Sequence, residues 1–116
     1  MMIFEPSRFC IIGKWEMYAK SNRYGDLEIT EDNLTTILEF YKDDMMTLTK
    51  YYRTKRDTNR SEQIFQNKRI SNSEWFKFYG IKDLTDDELV LYNINDPFFE
   101  YYFKKVWYFI NTTDTL

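Results

Sequence analysis

Side-by-side carboxylates are the residues of this chain that could carry out acid–base chemistry. They occur in three places, at residues 31–32, 43–44 and 86–88. A pair of carboxylates can act on a substrate only when both face one cleft at a defined separation, whereas neighbours in a turn point apart. Turns also use Asp side chains to accept backbone hydrogen bonds. We therefore interpret the three acidic runs as turn residues and predict no catalytic residue.

The chain lacks the residues that nucleophilic and metal-dependent catalysis require. The 116-residue chain contains no histidine and one cysteine, Cys10. Without histidine a serine has no partner of the Ser–His–Asp type, and the commonest zinc ligand is missing. One cysteine excludes an intramolecular disulfide, and we interpret it as a small buried hydrophobic residue. The sequence predicts a non-enzymatic protein with no metal and no cofactor.

A basic segment with interleaved aromatic residues is the candidate surface for an anionic partner. It comprises Lys50, Arg53, Lys55, Arg56, Arg60, Lys68 and Arg69, with Tyr51, Tyr52 and Phe65 among them. Such a pattern can stack bases while cations follow the phosphates. Acidic residues 43–44, Asp57 and Glu62 lie close by, and the formal net charge is -3, unlike that of most nucleic-acid-binding domains. We interpret the segment as a solvated hairpin tip and expect no nucleic-acid partner.

Alternation of apolar and polar residues with a period of two predicts β-strands along almost the whole chain. In residues 10–20, Gly13, Trp15, Met17 and Ala19 share one face. The aromatic content of 20% also favours strands. Strands are predicted at residues 10–20, 35–42, 45–55, 61–69, 74–81, 88–94 and 98–110, with a brief eighth strand or a helical turn at 27–29 inside a polar loop at 21–34. Seven to eight antiparallel strands with short turns predict an all-β, up-and-down barrel.

Bulky apolar residues on the inward faces of these strands are the candidate ligand-binding residues. They are Met17, Leu38, Phe40, Leu48, Phe76, Phe78, Leu91, Tyr101 and Phe103, and Trp15 shares their side. An eight-stranded barrel is just wide enough either to be filled by side chains or to hold one small ligand. The residues allow both interpretations, a packed core and an apolar cavity.

Four short segments in a fixed order carry a resemblance to a known family. They are Gly13-Lys14-Trp15, then Leu38-Glu39-Phe40-Tyr41-Lys42-Asp43-Asp44, then residues 79–91 (YGIKDLTDDELVL), and last Tyr102-Phe103-Lys104-Lys105-Val106. Together they resemble the small bacterial lipocalin-like domains of the Bacteroidota type, which are calycin-like β-barrels. The resemblance covers residues 11–106 and implies a lipocalin-like barrel whose interior holds an apolar ligand. It also implies that Gly13 and Trp15 close one end of the barrel, where Lys104 or Lys105 stands in place of the family's arginine.

The last predicted strand is aromatic on both faces, with residues 101–103 and 107–109 in one run. This run predicts either packing beneath Ile3 and Phe4 or a partner surface, and a homodimer through this strand is one hypothesis. No stretch approaches the roughly 20 apolar residues that cross a bilayer, so we expect no transmembrane segment. The protein is expected to be soluble, either cytoplasmic or extracytoplasmic with an export signal absent from this chain.

These patterns predict one domain and one leading function. Residues 1–9 are an N-terminal extension, 10–110 the lipocalin-like β-barrel and 111–116 a C-terminal tail. We expect a non-enzymatic binding protein for a small hydrophobic ligand held in the barrel interior. The alternative is a protein–protein interaction module with a filled barrel, which would use the aromatic last strand or the basic hairpin tip.

Overall fold

The computed structural model describes residues 10–22, 24–29, 34–53 and 62–107. Within these ranges the elements are β1 (Gly13–Ser21), β2 (Leu27–Ile29), β3 (Leu34–Phe40), β4 (Met45–Arg53), β5 (Glu62–Ser71), α1 (Asn72–Trp75), β6 (Tyr79–Leu84), β7 (Glu88–Asn93) and β8 (Asp96–Val106). The predicted all-β class is confirmed. The brief strand predicted at residues 27–29 is β2, which extends the sheet beside β1. The extension and the tail predicted at 1–9 and 111–116 lie outside the described residues.

All eight strands belong to one antiparallel sheet that is not closed. Their order is β5-β4-β3-β1-β8-β7-β6, and β2 also pairs with β1. The first and last strands pair, from Lys14 opposite Val106 to Lys20 opposite Tyr101, as they would in an up-and-down barrel. Within the described ranges β5 and β6 remain the two edges, with no pairing between them. The structure therefore confirms the antiparallel sheet and not its closure into a barrel.

The prediction of a strand over residues 74–81 is wrong in its first part, which contributes to α1 and the turn after it. The hydroxyl of Ser71 accepts a hydrogen bond from Glu74 N at 3.1 Å and caps the helical turn. Ser-x-x-Glu is a helix start signal, and here it overrides the strand preference of the aromatic residues that follow. α1 carries the chain from β5 to β6, from one edge of the sheet to the other. No helix in the described ranges is long and apolar enough to span a membrane.

The core lies on one face of the sheet, which we call the inner face and define as the face that carries Trp15. Trp15 is opposite Leu38 across β1 and β3, and Leu38 is opposite Leu48 across β3 and β4. Directly opposite residues share a face, so these strands contribute their alternate side chains to one layer. The buried core comprises Trp15, Leu38, Phe40, Met46, Leu89, Leu91 and Phe103.

Acidic residues 43–44 and 86–87 lie in turns, and Glu88, the last residue of the third run, begins β7. Asp44 has a φ of 67° in the turn between β3 and β4, a conformation that Asp tolerates better than most residues. Before β7, the hydroxyl of Thr85 accepts hydrogen bonds from the amides of Asp87 (3.4 Å) and Glu88 (3.0 Å). Local turn geometry therefore accounts for these acidic residues. The run at residues 31–32 lies outside the described residues.

Ser71→Ala should lower the free energy of unfolding by about 1 kcal/mol, because the amide of Glu74 loses its capping acceptor. Ser73→Ala is the matched control, since Ser73 is exposed and its hydroxyl contacts that of Ser71 at 3.2 Å without capping an amide in the described residues. Urea unfolding of both variants measures the difference. Equal destabilisation by the two substitutions would contradict the capping role of Ser71.

Candidate functional site

A cavity lies on the inner face of the sheet, next to the core. Its volume is about 170 Å³ and it is partly open to solvent. Its lining comes from β1, β3, β4, α1, β6, β7 and β8 and comprises Met17, Thr36, Leu38, Leu48, Lys50, Trp75, Tyr79, Leu91, Tyr101 and Phe103. Neighbouring strands are about 4.8 Å apart, and β4 and β6 have β3, β1, β8 and β7 between them. Side chains from β4 and β6 can line so small a space only because the sheet curls around it.

Three aromatic side chains form one wall of the cavity. Trp75 stacks on Tyr79 with ring centroids 4.2 Å apart, and Tyr79 meets Tyr101 edge-on at 5.8 Å. Burial, and to a smaller extent Tyr101, raises the pKa of Tyr79. The indole Nε1 of Trp75 is buried without a hydrogen-bond partner in the described residues. The wall therefore presents flat apolar rings to the cavity, and few of its polar atoms are already hydrogen-bonded.

The structure brings together six of the nine residues that the alternation assigns to ligand binding. These are Met17, Leu38, Leu48, Leu91, Tyr101 and Phe103. Phe40 and Phe76 stack on each other instead, with centroids 6.0 Å apart, and Phe40 belongs to the buried core. Phe78 is 50% exposed and does not line the cavity. The reason is α1, which breaks the strand alternation that predicts Phe78 on the inner face.

Four lining residues were not predicted from the sequence, namely Thr36, Lys50, Trp75 and Tyr79. Thr36 and Lys50 are two positions from Leu38 and Leu48 in their strands, and they pair with each other across β3 and β4. The period of two therefore places them on the inner face, although their polarity favours solvent. The two aromatic residues are positioned by α1, which strand periodicity does not predict.

At one end of the inner face lies Trp15, which is fully buried. Its indole Nε1 donates to Ile11 O at 2.8 Å. The ammonium group of Lys105 lies 4.8 Å from the ring centroid of Trp15 and donates to Ile12 O at 3.0 Å, a cation–π arrangement. Gly13 makes room for it, because a Cβ there would lie 2.7 Å from Cε and Nζ of Lys105.

Of the two lysines expected at this end, Lys105 covers the indole and Lys104 does not. Adjacent residues of a strand point to opposite faces, so Lys104 lies on the outer face. Its Nζ is 5.3 Å from the ring centroid of Tyr18 there. Of these two lysines, Lys105 alone therefore lies against the Trp15 indole.

The outer face carries a network of tyrosines and carboxylates that links β1, β6, β7 and β8. The hydroxyl of Tyr18 donates to Glu88 Oε2 and that of Tyr102 to Glu100 Oε1, while Lys82 pairs with Glu100. Burial and then the bond to Glu88 raise the pKa of Tyr18 to about 12. The bond to Glu100 and then burial raise the pKa of Tyr102 to about 12. Hydrogen bonds from Lys82 and Tyr102 lower the pKa of Glu100.

Cys10 is exposed, so its predicted burial is wrong. It precedes β1 and is not part of the inward-facing alternation of that strand. In the described ranges, no group of three or more His, Cys, Asp or Glu side chains is placed to hold a metal ion.

The basic segment is described only in part, because residues 54–61 lie outside the described ranges. Arg69 pairs with Asp43 at 3.1 Å and lies 5.4 Å from the ring centroid of Tyr41. Lys50 lines the cavity instead of the surface that the sequence assigns to it. The segment is therefore not one continuous basic patch in the part that the structure describes.

The aromatic run of the last strand divides between the two faces of the sheet. Tyr101 lines the cavity, Tyr102 belongs to the outer network, and Phe103 is in the core. Trp107, after the end of β8, is 42% exposed, and residues 108–110 are outside the described ranges. Up to residue 103, intramolecular packing accounts for the run without a partner protein.

Comparison with known proteins yields no match. No protein-family model matches the chain, and neither the curated proteins nor the solved structures contain a significant relative. The lipocalin-like resemblance therefore rests on the sequence segments alone. Any functional proposal has to be based on the geometry of the cavity and its lining.

Gly13→Ala should destabilise the protein by more than Gly25→Ala. Both glycines have a positive φ, +135° and +86°, which strains an alanine at either position. Only the added Cβ at position 13 meets Lys105, whereas nothing lies within 4 Å of the one at position 25. Urea unfolding measures the cost of Gly13→Ala in the wild type and in a Lys105→Ala background, and the cost should be smaller in that background. An equal cost in the two backgrounds would contradict the contact.

The free energy of unfolding should fall as pH rises from about 10 to about 12. Tyrosines of the unfolded chain ionise near 10.0, whereas Tyr18 and Tyr102 hold their protons to about 12 in the folded protein. The folded state thus binds more protons in this window, and the stabilisation is complete below it. Tyr18→Phe should flatten the fall, and Tyr24→Phe, at an 81% exposed position, should not. Urea titrations across the window test this, and identical slopes for both variants would contradict it.

Proposed function

We propose that this protein is a non-enzymatic binding protein for one small hydrophobic molecule, held on the inner face of its curled sheet. The observation that carries the proposal is the unfilled cavity of about 170 Å³. Protein interiors are normally packed with few voids larger than a water molecule. A space of this size, mostly apolar and adjoining a packed core, has the character of a ligand site.

The volume limits the ligand to about one aromatic ring. An apolar cavity of about 150 Å³ accommodates benzene, whereas pockets for drug-sized ligands begin near about 300 Å³. The flat faces of Trp75 and Tyr79 suit a ring, since aromatic pairs stack or meet edge-on. Because the cavity is partly open, a substituent on the ring can extend towards solvent.

The binding mode that we propose is lipocalin-like, with a ligand surrounded by one antiparallel sheet. Two features support it: the first and last strands pair, and the Trp15 indole lies at one end beneath Lys105. A lysine can lay its stem and charge over an indole as an arginine does, without the planar fork. Pairing of β5 with β6 in the presence of ligand would complete the barrel.

Protein–protein interaction is the second candidate, and an exposed aromatic pair at one edge of the sheet favours it. Tyr52 and Phe65 are 47% and 51% exposed, with ring centroids 5.1 Å apart on β4 and β5. Because β5 is an edge strand within the described ranges, its outer backbone groups and this apolar pair suit a second copy of the chain. A homodimer of this kind would use β5 and not the last strand.

Leu48→Phe should abolish ligand binding by filling the cavity, at a loss of roughly 1–3 kcal/mol of stability. Ile64→Phe, at a 61% exposed position, is the matched control and should bind like the wild type. Toluene is the probe, with its affinity measured by calorimetry, after native mass spectrometry and solvent extraction of freshly purified protein to identify any carried ligand. A wild type that carries no compound and binds toluene no better than Leu48→Phe would contradict the proposal. A dimer mass that Phe65→Ser abolishes would support the second candidate.

A further inference from the structure

The cavity lining contains one charged side chain, that of Lys50. Lys50 is half-buried, and its ammonium group has neither an ion pair nor a hydrogen bond in the described ranges. Some of the other cations there have carboxylate partners, namely Arg69, Lys77 and Lys82. A half-buried ammonium that loses hydration without gaining an anion is unfavourable, so an anionic partner from outside the chain would stabilise it.

Three hydroxyl groups of the cavity lining are also without partners in the described part of the chain. Thr36 lies directly opposite Lys50 across β3 and β4 and is 9% exposed, yet its hydroxyl makes no side-chain hydrogen bond there. The same holds for the hydroxyls of Tyr79 and Tyr101, which line the cavity as well. Each of these groups can donate a hydrogen bond, and donors to an anion form stronger bonds than donors to a neutral acceptor.

Polar and apolar groups are separated along the cavity. Thr36 and Lys50 are one inward-facing position beyond Leu38 and Leu48, on the side away from Trp15, which pairs with Leu38. Along these strands the lining is therefore apolar at the end near Trp15, where Leu38 and Leu48 lie, and polar at the other end, where Thr36 and Lys50 lie. A ligand that fits both ends has an apolar body and one anionic group.

We propose that the ligand is a single-ring aromatic carboxylic acid, with its ring against Trp75 and Tyr79 and its carboxylate against Lys50 and Thr36. One ammonium group balances one negative charge, which a carboxylate supplies, whereas a phosphate ester carries about two at neutral pH. A cavity of about 170 Å³ holds a ring and excludes most of a long acyl chain. This inference rests on the proposed function and specifies its ligand class.

Benzoate and benzamide distinguish charge from shape, since they share a ring and a planar head group. Calorimetry should show benzoate binding at least about tenfold more tightly than benzamide, as expected for hydrogen bonds to a charged group. Lys50→Met, which keeps most of the length of the side chain, should weaken benzoate by at least about tenfold. It should weaken benzamide by clearly less, because the amide carries no charge. Retained benzamide binding also shows that the variant is folded and its cavity intact.

Lys68→Met is the matched control for charge. Lys68 lies opposite Leu48 on the neighbouring strand β5 but is exposed and does not line the cavity. Its loss should change benzoate affinity by less than about threefold, because exposed charges interact weakly.

The possible results separate this inference from the proposed function. If toluene and benzamide bind and benzoate binds no more tightly, or if Lys50→Met weakens benzoate and benzamide alike, the inference is overturned and the apolar binding site stands. If octanoate binds more tightly than benzoate, the aromatic assignment is overturned. If toluene, benzamide and benzoate all fail to bind, both the inference and the proposed function are overturned.

Discussion

Pairing between the first and last strands is the interaction on which the rest of this structure depends. The sheet order β5-β4-β3-β1-β8-β7-β6 consists of two meanders, one on each side of the β1–β8 seam. Without that seam α1 would join two separate sheets, and the buried core would be divided, with Trp15 and Leu38 on one sheet and Leu89 and Phe103 on the other. The outer face reinforces it, since Ser21 Oγ donates to Phe98 O at 2.6 Å and accepts from Glu100 N at 2.8 Å. At the other end of the seam, the ammonium group of Lys105 on β8 lies over the Trp15 ring on β1.

The cavity exists because the seam and α1 join the same two meanders at different places. Met17 and Phe103 pair across the seam and contribute to the cavity lining. Trp75 of α1 contributes from the other connection, between the two edge strands. Side chains from both meanders thus surround one space, yet β5 and β6 do not pair within the described ranges. A ligand there would contact both meanders at once and stabilise their arrangement through binding to the folded state.

Much of this architecture could be predicted from the sequence, because strand alternation is a local property. The alternation correctly predicts Met17, Leu38 and Leu48 on the inner face. It also assigns Thr36 and Lys50 to that face, but these two residues were not predicted there because polar residues usually face solvent. The incorrect predictions concern features that depend on non-local contacts or on helix capping. Ser71 begins a helical turn inside an aromatic stretch, which moves Trp75 into the cavity wall and Phe78 out to solvent. Whether the edge strands meet depends on the total curl of the sheet, which no single segment determines.

The curled sheet leaves an open, mostly apolar space beside its packed core. Xenon enters apolar cavities of this size without needing polar contacts, so methyl NMR of the protein under xenon pressure is the most direct test for this space. We expect shifts for the methyl groups of Leu48 and Leu91, which line the cavity, and smaller ones for Leu89, which is buried beside it in the core. Absent shifts, or shifts of equal size at Leu89, would show that side chains fill the inner face.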